Sequence, residues 1–303
     1  MTWLVSYWGK GGVGKSTCAA ATALKLTERG KTLLLSSDPV PSLSEILEEK
    51  LSHRPKKVYD NLWAAEVSEE EVIFMWKKRF GEEVYKVISS IVPVDREIID
   101  YIAGAPGISD EFMLYYIYTY WNKGEFDYVV WDTAAAGGGL RLLRIERELY
   151  SHLGEAAKLY LKLKSFFDKI KRSNDANPLN LIEKWRKLAE EVLRMISSKE
   201  HMLYIVTIPE RLGLYITRNI VREFNSVGVK PKGIIVNMVE KRNVCPECEP
   251  WIIRSSRHEK ILKLMVKEFN DVYTLPLLPW EPRGKEKLLK FAKLMENEKI
   301  LSL

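Results

Sequence analysis

The segment GKGGVGKST, Gly9–Thr17, carries the residue types that phosphate chemistry requires. Gly9, Gly11, Gly12 and Gly14 allow backbone conformations closed to residues with a Cβ. Around Val13 their N–H groups can converge on phosphate oxygens at a helix N-terminus, where the helix dipole also favours anions. Lys15 has the reach for the β- and γ-phosphates of a nucleotide, and the Ser16 hydroxyl, with Thr17 after it, opens the helix as a Mg2+ ligand. A plain Gly-rich turn would leave the Lys15–Ser16 pair without a purpose. Two carboxylates stand where a nucleotide switch needs them. Asp38 follows the run TLLLSS and can orient or activate the attacking water; Asp132 ends YVVWD and can support Mg2+. Both could also be helix N-caps, a role compatible with catalysis.

These residues must be held by strands and helices, and the pattern supplies both. Strands are predicted at Trp3–Trp8, Thr32–Ser36, Leu62–Val67, Tyr128–Trp131, Met202–Thr207, Gly233–Asn237 and Val272–Leu275. Helices are predicted at Ser16–Arg29, Leu212–Asn225, Glu259–Phe269 and Lys285–Met295. Such alternation predicts an α/β fold, a doubly wound and mostly parallel sheet. YVVWD and GIIVN are continuously apolar, as strands buried on both faces must be. The alternation breaks at about 69–122 and 144–198, where the pattern is helical. Ile73, Trp76, Phe80, Val84, Val87 and Ile91 recur every three or four residues on one face. So do Ala156, Tyr160, Leu163, Phe167 and Ile170, and again Trp185, Leu188, Val192 and Ile196. This reads as a helical subdomain inserted into one domain spanning 1–303. Its wide apolar arcs read as core, with an exposed groove as the alternative.

Composition bounds the rest. A chain of 303 residues with 46 % hydrophobic content can build a sizeable core, which excludes global disorder. Three cysteines cannot staple a secreted scaffold of this size. No apolar run approaches the ~20 residues of a membrane span, and the N-terminus has no signal-peptide pattern. A cytoplasmic protein is expected. The net charge of +6 is weak evidence for nucleic acid, and no nucleic-acid partner is expected. Glutamine is absent while Lys and Glu are abundant, a composition that fits selection at high temperature.

Taken in order, the motifs resemble those of the arsenite-pump/guided-entry ATPase family. GKGGVGKST matches the family's phosphate loop, and DPVPSLSEIL resembles its switch I. NLWAAEV is similar to the strand that follows, APGISDEF to an element opening client-binding helices, and DTAAAGGGLRLL to switch II. IPERLGLYITRNIVREF, GIIVNMV and LPLLPWEPRG resemble three later family segments. The resemblance implies a P-loop fold of the SIMIBI class and a Mg2+-dependent ATPase working as a homodimer around ATP. Lys10 marks the deviant form of the loop and would reach the partner's nucleotide. Asn237 would contact adenine, and Pro279, Glu281 and Arg283 would belong to the adenine loop. In targeting members the helical subdomains close into a groove for tail-anchored membrane-protein segments, delivered to a membrane receptor. Switch I departs from the family at Val40–Pro41, where a histidine is usual. Switch II departs at Ala135, Ala136, Gly138 and Gly139, and the helical region is poor in Met, the residue of adaptable binding surfaces.

Cys245-Pro-Glu-Cys248 supplies two of the four ligands of a structural zinc site. Two copies facing across a two-fold axis would complete a four-thiolate site, as in targeting members. A redox pair and a shared iron–sulfur cluster are the alternatives, the latter making the chain a cluster carrier. His258 lies nearby in sequence and could ligate, but it reads rather as a solvated helix residue; Cys18 reads as a small buried one. Arsenite binding in the family needs cysteines in the helical region; none is there, so that role is rejected. The remaining alternative, a positioning or partition ATPase, fits poorly with the helical insertions and the CxxC. The expected function is capture of hydrophobic membrane-protein segments by a dimeric ATPase.

Overall fold

The structure is a computed structural model and describes residues 1–38, 42–90, 93–105, 107–134 and 178–300. The expectations placed on Val40–Pro41, Ile91, Ala135–Arg141 and Ala156–Ile170 lie outside these residues. The described part divides into two units.

The first unit comprises Met1–Ser68, Thr119–Leu140 and Lys199–Leu303. Its strands are β1 (Trp3–Trp8), β2 (Thr32–Ser36), β3 (Lys56–Tyr59), β4 (Leu62–Glu66), β5 (Tyr128–Asp132), β6 (His201–Thr207), β7 (Gly233–Val239) and β8 (Val272–Pro276). They form one sheet in the order β3-β4-β2-β5-β1-β6-β7-β8. Every neighbouring pair is parallel except β3–β4. The central strands are mostly apolar because helices cover both faces. β2 is buried at every position, and β1 and β5 at all but the first. β3, Lys-Lys-Val-Tyr, was not predicted. It is an exposed antiparallel edge whose lysines break any apolar period and suit an edge facing water.

Helix α1 (Lys15–Leu26) runs from the phosphate loop across the sheet. Its alanines, Ala19, Ala20, Ala21 and Ala23, are fully buried, small enough to let the helix lie close. The same core cluster contains Leu43 and Leu47 of α2 (Leu43–Leu47) and Leu288, Phe291, Ala292 and Met295 of α10 (Gly284–Asn297). Between them lie α8 (Arg211–Ser226) and α9 (Glu249–Glu268). The latter begins ten residues before its predicted start, with Cys248 at its N-cap and a proline in the first turn.

The second unit comprises Glu69–Tyr118 and Arg141–Ser198. It contains α3 (Glu69–Trp76), a π-turn at Lys77–Gly81, α4 (Glu82–Ser89), α5 (Ile98–Ala103) and α7 (Pro178–Ile196), and most of α6 (Ile108–Lys123). Glu83 on α4 accepts from Trp185 Nε1 at 2.7 Å and from Lys184 Nζ at 3.0 Å, tying α4 to α7. The Tyr118 hydroxyl of α6 donates to Glu191 of α7 at 2.6 Å. Of the apolar face predicted here, Trp76 and Val87 are buried, as are Val192 and Ile196 on α7.

Candidate active site

The site is built on the C-terminal ends of four adjacent strands. Register puts Glu66 beside Ser36, Ser36 beside Asp132, and Asp132 beside Tyr7. Open α/β sheets bind ligands at this edge. Here two acidic side chains end otherwise apolar strands, and the phosphate loop leaves β1 beside them.

The loop's shape depends on two glycines. A Cβ on Gly9 would lie 2.1 Å from the Val206 carbonyl oxygen, inside van der Waals contact. Gly14, the N-cap of α1, has φ 96°, and a Cβ there would meet Asn237 Nδ2 at 2.4 Å. Asn237 is buried on β7, and its Nδ2 donates to the Val13 carbonyl at 3.0 Å. The predicted base-contacting residue therefore also braces the loop. Gly12 and Gly11 are exposed at the loop tip with Lys10, whereas Val13 is buried beneath it.

Lys15 is only 4 % exposed, and its Nζ donates to the Lys10 carbonyl at 3.3 Å. Burial lowers its pKa, while the charges of Asp132 and Asp38 oppose the shift. Asp132 is wholly buried, and burial raises its carboxyl to about 7. The Ser16 hydroxyl, Lys15 and the Ser36 hydroxyl pull it back down; Asp38 pushes it further up. Its Oδ2 accepts from Ser36 at 3.1 Å, while Oδ1 is buried without a hydrogen-bond partner among the described residues. An orphaned carboxylate oxygen beside Ser16 and a buried lysine suits a hard divalent cation with nucleotide phosphates. Lys15, Ser16, Asp132 and Asp38 are thus brought together; Thr17 follows on α1.

The loop before α10 presents Pro279 and Glu281 at the surface. Arg283, in the same loop, has its Nη2 3.1 Å from Glu45 of α2 and its Nε 4.0 Å from Glu48. Glu66 was not predicted to have a role. It is 6 % exposed and accepts from the backbone N–H groups of Ser42 and Leu43 at 2.6 and 2.7 Å. A signal for it existed: LWAAE ends an apolar strand in an acid as YVVWD does.

Cys245 and Cys248 are joined as a disulfide, a state in which neither sulfur is a thiolate ligand. Among the described residues of one chain, no group of three or more His, Cys, Asp or Glu could hold a metal. The expected zinc is not supported. His258 is not solvated: it is 9 % exposed, and its Nδ1 accepts from the Glu240 backbone N–H at 3.1 Å. Cys18 is free and buried, as expected.

The helical unit contains its own cavity of about 210 Å3, walled by Trp76, Phe80, Val84, Phe112, Trp185 and Val192. Among the described residues one carboxylate lines it: Glu111, whose pKa burial raises to about 7 with help from Asp110.

A profile of the anion-transporting ATPase family (ArsA_ATPase) matches residues 1–297. The chain belongs to the anion-transporting ATPase family. It is therefore an ATPase, with ATP as substrate and Mg2+ as the family's cation. The chain is similar to the putative arsenical pump-driving ATPase 2 of Aquifex aeolicus, with 30 % identity over 98 % of each chain. It is also similar to the ATPase get3 of Pyrenophora tritici-repentis, with 29 % identity over 95 % of this chain and 89 % of the relative. The ATPase get3 of Schizosaccharomyces pombe is 27 % identical over the same shares. No helix among the described residues is long and apolar enough to cross a membrane.

Proposed function

We propose that this ATPase works as a homodimer and uses ATP to govern capture of hydrophobic, tail-anchored membrane-protein segments. The observation that carries the capture half is the cavity of the helical unit, walled by Trp76, Phe80, Phe112 and Trp185. Aromatic walls of this kind receive the apolar side chains of an amphipathic or membrane-spanning helix. Similarity to get3 ATPases across 95 % of the chain supports the same reading.

On the nucleotide side the chain's residues divide the work. The loop N–H groups of Gly11–Gly14 and the Lys15 ammonium hold the phosphates. Ser16 and Asp132 would hold Mg2+, which when bound neutralises charge developing on the transferred phosphoryl group. Asp38 accepts a proton from, or orients, the attacking water. Asn237 offers its Oδ1 to an adenine amino group, since Nδ2 is engaged with Val13. Pro279 and Glu281 border the base. Lys10, exposed at the loop tip, is free to reach the partner's nucleotide. The relative named for an arsenical pump suggests another cargo. The helical unit of this chain has no cysteine, so it offers trivalent arsenic no thiolate there.

The test is an Asp38→Asn variant loaded with ATP and used to isolate partners from cells or to bind a purified tail-anchored segment. Retention of a hydrophobic helix by the trapped variant supports capture. A trapped variant that binds ATP and retains no hydrophobic helix overturns it.

A further inference from the structure

We propose that Ser42 is a second hydroxyl of the Mg2+–nucleotide site and that Glu66 is the residue that positions it. This rests on the nucleotide-site reading above and adds two residues to it.

The observation is a clamp. Glu66 ends β4 and turns its carboxylate onto the start of α2, the five-residue helix that closes the switch I-like segment. It accepts from the N–H groups of Ser42 at 2.6 Å, Leu43 at 2.7 Å and Ser44 at 3.3 Å, and from the Ser44 hydroxyl at 2.6 Å. A carboxylate has about four acceptor positions, so Glu66 is saturated by this one segment. Charge-assisted bonds of this length are the strong ones. A five-residue helix has almost no stability of its own, since nucleation outweighs so few bonds. The direction of α2 is therefore set by Glu66, whose own place is fixed by register with Ser36 on β2.

The clamp aims one group. With its backbone pinned, Ser42 points its hydroxyl at Ser16, donating to Ser16 Oγ at 3.2 Å. Ser16 in turn faces Asp132, the carboxylate with the orphaned oxygen. Adjacent oxygens around an octahedral Mg2+ lie about 2.9 Å apart, from metal–oxygen bonds near 2.05 Å. Two hydroxyls 3.2 Å apart are thus close to the spacing of neighbouring ligands on one ion. Capping alone would explain the bonds of Glu66 to the α2 backbone. It does not explain why the residue held at the N-cap turns its hydroxyl toward the phosphate loop, where it makes no cap bond to its own helix.

The test measures how much Mg2+ tightens binding of a fluorescent ADP analogue, as the ratio of affinities in Mg2+ and in EDTA. Ser42→Ala is expected to reduce that ratio roughly tenfold, the loss of one ligand or hydrogen bond to a charged centre, while leaving affinity in EDTA unchanged. Ser42→Thr keeps the hydroxyl and restores the ratio. Glu66→Gln replaces two acceptor oxygens with one and adds a donor facing N–H groups, so it lowers the ratio as Ser42→Ala does. An unchanged ratio in Ser42→Ala overturns the proposal. So does an equal loss in Mg2+ and in EDTA, which would mark Ser42 as merely structural. If Glu66→Gln does not fold, the serine pair still decides. Failure of the underlying nucleotide site is distinguishable, because Lys15→Ala would then still bind the analogue.

Discussion

Replacing Gly14 by alanine tests the bracing of the phosphate loop by Asn237, and the structure gives the size of the effect. Gly14 holds φ 96°, and a side chain in the left-handed region costs about 1–2 kcal/mol. The new Cβ would also lie 2.4 Å from Asn237 Nδ2 and force that side chain away. Moving it breaks the 3.0 Å bond to Val13 and leaves a buried carbonyl unpaired, a further cost of about 1–3 kcal/mol. Gly14→Ala alone should therefore destabilise by about 2–5 kcal/mol, and Asn237→Ala by about 1–3 kcal/mol. In the double variant the backbone strain stays, but the broken bond is counted once. Its cost should fall short of the sum of the singles by about 1–3 kcal/mol, the coupling a double-mutant cycle reads. Urea unfolding without nucleotide supplies the four free energies, compared at constant denaturant slope. Additive effects, within about 0.5 kcal/mol, would refute the reasoning, because separate sites add.

Lys15→Ala is expected to abolish nucleotide binding, measured by equilibrium titration, since it removes the one buried ammonium at the loop. Asp38→Asn should bind ATP normally yet lose turnover in a phosphate-release assay; normal turnover would remove Asp38 from the mechanism. Thiol titration of the denatured, unreduced chain should find one group, Cys18, and three after reduction; three at the outset would contradict the Cys245–Cys248 bond. Burial holds His258 below its ordinary pKa of 6.5. The unfolded chain then binds the extra proton first, so stability present above pH ~6.5 is lost as pH falls below it. His258→Phe should shrink the drop in urea midpoint between pH 7.5 and 5.5, and an unchanged drop would place its origin elsewhere.

The parts of the fold that could be read from sequence are those with one dominant cause. β1, β2 and β5 are buried on both faces, so their runs are largely apolar, and their predicted bounds match to within a residue. β3 was invisible because an edge strand needs no apolar face. The ten added residues at the front of α9, Glu249–His258, contain Pro250 and a polar run, Arg254–His258, that hides the helical period; a proline at a first turn starts a helix rather than breaking it. That Lys15, Ser16, Asp38 and Asp132 come together was legible, because the first two open α1 and the other two stand where β2 and β5 end. Glu66 was marked only by the acid that closes LWAAE, and its partners, backbone N–H groups at Ser42–Ser44 and the Ser44 hydroxyl, could not be read from that mark. His258 was misread for a related reason. A histidine in a charged stretch looks solvated until the strand end at Glu240 is brought beside it.

The packing of α1 against α10 ties the phosphate loop to an element far along the chain. Leu288, Phe291 and Met295 share one core with Ala19, Ala20 and Ala23 of the helix that carries Lys15 and Ser16. Just beyond α10, the Ile300 carbonyl accepts from the Tyr204 hydroxyl of β6. The phosphate loop and a helix about 270 positions further along are thus one cooperative unit. A cavity opened at Phe291 would loosen the loop's supporting helix although it touches no residue of the loop.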